Sequence, residues 1–166
     1  AGARPEPAWR FVELADRHGG RASFYEVSHV DLPLYLDLGL SLRKLGEEAR
    51  VRLETFTLEG KRRAKLRHAR NKMEREGCRF EIVPADRVAP LLDEAEALSD
   101  AWLAAKSTRE KRFSLGRFDR EYLRRLPLAT IWQEGRMIAF ANVWAGGAKE
   151  ELSVHLMRHL PHAPHA

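Results

Sequence analysis

Two strand-like runs, Leu128 to Gln133 and Arg136 to Trp144, are separated only by Glu134-Gly135. A two-residue connection ending in glycine permits little besides a tight antiparallel hairpin. Gly146-Gly147 then turns the chain into a third run, Glu151 to Met157, so a three-stranded meander is expected. Arg79 to Val83 reads as an earlier strand. Between them, Val88 to Ala105 places Leu91, Leu92, Ala95, Leu98, Trp102 and Leu103 on one helical side. Asp119 is positioned to cap a short helix through Leu126, stopped before Pro127. Helices feeding antiparallel strands give an α+β fold with flanking helices. A meander whose third strand is bare leaves an exposed edge, so the sequence is expected to stop before its fold does.

The first third reads differently. Trp9 to His18 is a helix ending at Gly19-Gly20, and Ala22 to Ser28 has the aromatic and β-branched character of a buried strand. Asp31 is expected to cap a short helix through Asp37, with Pro33 in its first turn and Gly39 closing it. Leu40 to Leu45 and Ala49 to Leu53 are expected to form a hairpin around Gly46-Glu47-Glu48, because Val51 and Leu53 alternate with charged residues.

Charge is concentrated in one place. Between Lys61 and Glu76 lie eight Lys or Arg and two Glu, whereas the whole 166-residue chain carries a net charge of only +5. The stretch from Glu59 to Gly77 therefore accounts for the basic character of a chain that is otherwise neutral. It lacks proline, has glycine only near its ends, and is rich in helix formers. Thr57 is placed to cap it and Gly77 to end it in the left-handed conformation. Leu66, Ala69 and Met73 form a narrow apolar stripe. Lys61, Lys65, His68, Lys72 and Arg75 lie to one side of it, and Arg63, Arg67 and Arg70 to the other. Uncompensated charge on so short a helix fits either a solvated face or a phosphate-bearing partner, nucleic acid or anionic membrane.

Other features carry less. No run approaches the ~18 apolar residues of a membrane span, and the single cysteine, Cys78, cannot form an internal disulfide. Cys78 reads as a small buried residue rather than a nucleophile. His155, His159, His162 and His165 lack a carboxylate or cysteine at ligand spacing, so no metal site is expected. Trp102, Trp132 and Trp144 read as core rather than stacking platforms. Lys106, Arg109, Lys111 and Arg112 sit in a charged, Gly/Ser-containing loop, Lys106 to Phe118, that is either solvated or in contact with phosphate.

Several long segments carry a family likeness. They are FYEVS (24–28), KLGEEARVRLETFTLEGKRRAKLRHARN (44–71), SDAWLAAKSTREKRFSLGRFDREYLRRLPLA (99–129) and IAFANVWAGGAKEELSVHLMRH (138–159). In order and spacing the chain resembles the catalytic region of bacterial MprF-type phosphatidylglycerol lysyltransferases. The resemblance implies pieces of two acetyltransferase-like (GNAT) folds: the end of a first fold over 1–58, a basic connecting helix over 59–77, and the start of a second, incomplete fold over 78–166. It implies transfer of lysine, or in relatives alanine, from aminoacyl-tRNA to phosphatidylglycerol, without a metal or nucleotide cofactor. That reaction gives resistance to cationic antimicrobial peptides. It further implies a location at the cytoplasmic face of the bacterial inner membrane, with a membrane flippase domain attached or adjacent and the present chain itself soluble. Lys61, Lys65, Arg67, Arg70, Lys72, Lys111 and Arg112 would then meet tRNA or lipid phosphates. The family pattern S-x-D-L-M-R, whose Asp and Arg hold the aminoacyl group, appears here as Ser153-Val154-His155-Leu156-Met157-Arg158. Arg158 and His155 thus become the candidate substrate-binding residues. His155 stands where the pattern has its carboxylate, and an imidazole does not pair with an ammonium as a carboxylate does. The contrasting possibility is a non-catalytic module that binds RNA or an anionic membrane.

Overall fold

The structure, a computed structural model, describes residues 5–110 and 116–164. The chain divides into two compact units, Ala1–Thr55 and Phe56–Ala166.

In the first unit, α1 (Pro5–Arg17) and α2 (Leu32–Asp37) are the regular elements. α2 follows the sequence reading, and α1 begins at Pro5 rather than at the expected Trp9. Ser28 starts a 3-10 turn over His29–Asp31 by accepting from the Val30 amide, and that turn leads into α2. The packing is aromatic: Phe24 lies 5.4 Å from Phe11 and 4.8 Å from Tyr35 between ring centroids. Neither expected β feature forms. Residues 22–28 are irregular, and Glu26 takes a left-handed φ of 55° that interrupts an extended run. Residues 40–52 are also irregular, and Leu53–Thr55 is a 3-10 turn. Leu45, Val51 and Leu53 are exposed there. An alternating pattern makes a strand only where another strand supplies the ladder, and among the described residues of this unit there is none.

The second unit is α+β. Its main sheet has the order β1-β2-β3-β6, antiparallel throughout, formed by β1 (Arg79–Val83), β2 (Leu128–Gln133), β3 (Arg136–Asn142) and β6 (Met157–His159). The β2–β3 turn is the one expected at Glu134-Gly135. Both residues have positive φ, 51° and 76°, which suits the right-handed twist of the hairpin. Helix α4 (Leu92–Ala105) crosses β3 and β6. Leu92, Ala95 and Leu98 from α4 join Val83, Leu128, Phe140 and Leu156 in one core. The long helix starts at Leu92 rather than Val88. Pro90 has no N–H to give, and the residues before Leu92 form two 3-10 turns. Asp119 caps α5 (Arg120–Leu123) by accepting from the Tyr122 amide at 3.1 Å, and α5 is shorter than expected. Arg120 bridges Asp93 and Glu96 and so ties α5 to α4.

The third strand of the expected meander is broken. β3 ends at Asn142; Trp144–Ala145 (β4) pairs with Leu152–Ser153 (β5) in a separate ribbon, and pairing with β3 resumes only at Met157. Asn142 spans the break: its backbone amide donates to Leu156 O at 3.0 Å, and its Oδ1 accepts from the amides of His155 at 3.1 Å and Leu156 at 2.7 Å.

The basic segment is helical as α3 (Ala64–Arg75), preceded by a 3-10 turn over Lys61–Arg63. It begins later than Glu59. Thr57 Oγ1 accepts from the Glu59 amide, but the turn at Gly60, φ 80°, intervenes before the helix. At the other end Gly77 is left-handed, φ 73°, and the Cys78 amide reaches back to Met73 O at 2.9 Å, as in a Schellman close.

Candidate functional site

Among the described residues of the second unit, Arg158 is the most heavily engaged polar side chain. β6 alternates, so Met157 points to solvent and Arg158 to the α4 side, where it is 8% exposed. Burying a guanidinium is costly unless its donors are satisfied. Here Nε donates to Ser99 Oγ at 3.3 Å and Nη1 to Met157 O at 3.1 Å. Nη2 donates to Glu110 Oε1 and to Gly116 O, each at 3.2 Å. Four of the five N–H groups are therefore engaged. The guanidinium also lies over Trp102, 4.3 Å from the ring centroid. Burial pushes the Arg158 pKa down, and the Glu110 carboxylate opposes that shift.

Glu110 does two things with one oxygen. Its Oε1 accepts from Arg158 and from the Phe118 amide at 3.1 Å. Together with the Arg158–Gly116 bond, this joins both ends of the 110–118 segment to β6. Gly116 has φ 96°, and a Cβ there would lie 3.3 Å from His155 O, so the position requires glycine on two counts. Lys111 and Arg112, expected as phosphate contacts, lie outside the described residues.

His155 stands at the other side of this junction. It is half-buried between β5 and β6, not within a strand as expected. Its ring meets Trp144 edge-on at 4.6 Å between centroids, and Nε2 is 2.9 Å from Ser153 Oγ. Its amide is held by Asn142, whose own Nδ2 is buried and has no partner among the described residues. His159 is engaged separately. The Trp102 indole can only donate, so Nε2 of His159 accepts its bond at 3.3 Å while Nδ1 donates to Leu160 O at 3.0 Å. His155 and His159 thus have different partners, and His165 lies outside the described residues. Trp132 joins the core as expected, but Trp102 and Trp144 serve instead as ring partners of Arg158 and His155. Cys78 is half-buried, and burial with Glu76 nearby raises its thiol pKa.

On α3 and the 3-10 turn before it, the two sides of the stripe differ. Arg63 lies over Phe56, 4.3 Å from its centroid; Arg67 donates to Leu58 O and Gly60 O; and Arg70 pairs with Glu74 at 3.3 Å. On the opposite side Lys72 pairs with Glu76 at 3.5 Å. Among the described residues, Lys61, Lys65 and Arg75 make no ion pair. Lys65 and His68, with Ala64 and Ala69, line a shallow open hollow. Leu66, in the apolar stripe, is 51% exposed. Ser99, Glu110, Gly116 and Asn142 are the site-building residues that the sequence did not single out. Only Asn142 left a signal there, as an amide inside the most apolar stretch.

The family described as "Phosphatidylglycerol lysyltransferase, C-terminal" matches residues 1–166. A phosphatidylglycerol lysyltransferase from Bacillus subtilis is 43% identical over 155 residues, 93% of this chain and 18% of that protein. One from Staphylococcus aureus (strain MSSA476) is 34% identical over 152 residues, 91% of this chain and 18% of that protein. Among solved structures, the C-terminal domain of a putative lysylphosphatidylglycerol synthetase from Agrobacterium fabrum superposes with a TM-score of 0.86 at 42% identity, covering 96% of this chain and 51% of that one. L-PGS from Bacillus licheniformis gives 0.85 at 40% identity, covering 97% and 49%. The chain thus spans under a fifth of these curated relatives and about half of these solved domains.

Proposed function

Because the chain belongs to the phosphatidylglycerol lysyltransferase C-terminal family, we propose that it is one portion of an enzyme that moves lysine from aminoacyl-tRNA to phosphatidylglycerol. The observation that carries this reading is the family match along residues 1–166. The names of the relatives supply the lipid and the amino acid; the tRNA donor and the alternative of alanine come from the resemblance. Residues 1–58 and 78–166 would be parts of two GNAT-like folds, with 59–77 connecting them. The longer protein would carry a membrane portion, place this region at the cytoplasmic membrane face, and reduce binding of cationic antimicrobial peptides by making an anionic lipid cationic.

The chemistry is an ester exchange. A glycerol hydroxyl attacks the aminoacyl carbonyl, a new C–O bond forms, the bond to the tRNA ribose oxygen breaks, and the hydroxyl proton ends on that oxygen. The donor ester is already activated, so the protein's task is to align hydroxyl and ester and to stabilise the developing oxyanion. By the resemblance, His155, beside Trp144, and Arg158 would be the residues that hold the aminoacyl group. The unpaired cations of α3 favour a phosphate-rich partner, and Lys111 and Arg112 would add to them.

The test is to incubate the full-length protein with lysyl-tRNA or alanyl-tRNA and phosphatidylglycerol vesicles, then to analyse the lipids. Lysylated phosphatidylglycerol is the expected product. Binding of tRNA or vesicles with no aminoacylated lipid from either donor would support the non-catalytic module instead.

A further inference from the structure

We propose that Glu110 and Arg158 form a positioning pair that sets the place of the His155–Leu156 turn, and that neither side chain touches substrate. For the reaction affected, this rests on the transferase reading above. An arginine that grips a carboxylate or ester oxygens presents a fork of free N–H donors. Arg158 keeps one N–H, with the others on Ser99, Met157, Glu110 and Gly116. Its side chain is 10% exposed and that of Glu110 25%. From this pair the geometry runs outward. Arg158 holds Gly116 through its carbonyl, and Gly116 lies so close beneath His155 O that even a methyl group would be tight at 3.3 Å. Asn142 holds the same turn from the β3 side through the His155 and Leu156 amides. Glu110 fixes the Phe118 amide with the same oxygen that faces Arg158. The turn carrying His155 is therefore clamped between Asn142 and a backbone segment that Arg158 and Glu110 keep in register.

The experiment uses the full-length enzyme with Arg158→Lys, Glu110→Ala, Glu110→Gln and Gly116→Ala. Amide hydrogen exchange at Phe118 and Leu156 is read beside steady-state lysyl transfer. A lysine cannot reproduce four donors in a planar fork, so Arg158→Lys is expected to raise exchange at both amides by about ten-fold or more. It should lower kcat while KM for tRNA and for lipid stays within about two-fold. Glu110→Ala is expected to do the same, and Glu110→Gln, which keeps an acceptor oxygen, to recover part of both losses. Gly116→Ala strains the backbone at φ 96° and crowds His155 O while Ser99 and Glu110 still hold Arg158, so it should loosen Leu156 and lower kcat. If Glu110→Ala loses protection throughout the molecule, Gly116→Ala and Glu110→Gln still decide the matter. A KM raised by about ten-fold or more in Arg158→Lys, with Phe118 and Leu156 protected as in the wild type, would place Arg158 on substrate and overturn the proposal. Absence of lysyl transfer by the wild type would overturn the functional reading alone, and the exchange data would still test the clamp.

Discussion

Arg158 and the arginines and lysines of α3 and the turn before it are the same chemistry put to opposite uses. Arg158 is nearly buried, and its donors are spent on the protein; Lys61, Lys65 and Arg75 are exposed and, among the described residues, have no ion-pair partner. Between these extremes lie Arg63, Arg67 and Arg70, which look alike in sequence but are occupied by a ring, by backbone carbonyls and by Glu74. A charge count therefore says where a polyanion can approach, while the hydrogen-bond partners say which charges remain to meet it. Buried charge holds parts in place because leaving it unpaired is costly; exposed charge is cheap to keep and is screened by salt.

That contrast can be broken by substitution. The largest effect is expected for Arg158→Ala, which strands Glu110 and removes the bond to Gly116. It should cost about 3 kcal/mol in denaturant unfolding, and a loss no larger than that of an exposed arginine would erase the distinction. Asn142→Ala leaves two amides without their acceptor and should cost about 2 kcal/mol, with loss of exchange protection at His155 and Leu156. Smaller still, Arg67→Ala removes the link to Gly60 O and should cost about 1 kcal/mol, whereas Arg70→Ala should change stability by less than about 0.5 kcal/mol. Equal effects for these two would mean that the Arg67 strap contributes nothing. The smallest effect is electrostatic. Asp119 is held below the usual carboxylate range, chiefly by the Tyr122 amide and then by Arg117. A depressed carboxylate stabilises the fold above its unfolded pKa and loses that contribution as pH falls through the folded value. Protection of the Tyr122 amide should therefore persist through neutral and mildly acidic pH and fade only in stronger acid, and Asp119→Asn should flatten that dependence.

The second unit was largely legible because its signals are local. Glu134-Gly135 dictates a turn, Asp119 caps at the expected place, and Arg79–Val83 has the composition of a strand and a partner in β2. The first unit misled because Ala22 to Ser28 and Leu40 to Leu53 have strand-like patterns without a strand to pair with among the described residues. The interruption between β5 and β6 was invisible for another reason. There the Asn142 side chain reaches His155, 13 residues away in sequence, a contact that no local pattern announces. Glu110 was harder still: it is one acid in a loop full of charges, and its significance comes from Arg158, 48 residues later. The site residues His155 and Arg158 were found only through the likeness to a family, since nothing in composition or spacing distinguishes them.

The most direct test of this division of labour is the salt dependence of tRNA binding by the full-length protein. Wild type would be compared with a Lys65→Glu/Arg75→Glu double variant and with Arg158→Lys. Each lost phosphate contact lowers the slope of log affinity against log salt by about 0.7 to 0.9. The double variant is expected to bind more weakly with a slope reduced by about 1.5, and Arg158→Lys to keep the wild-type slope. An unchanged slope in the double variant, or a reduced one in Arg158→Lys, would contradict the assignment of spare charge to α3 and spent charge to β6.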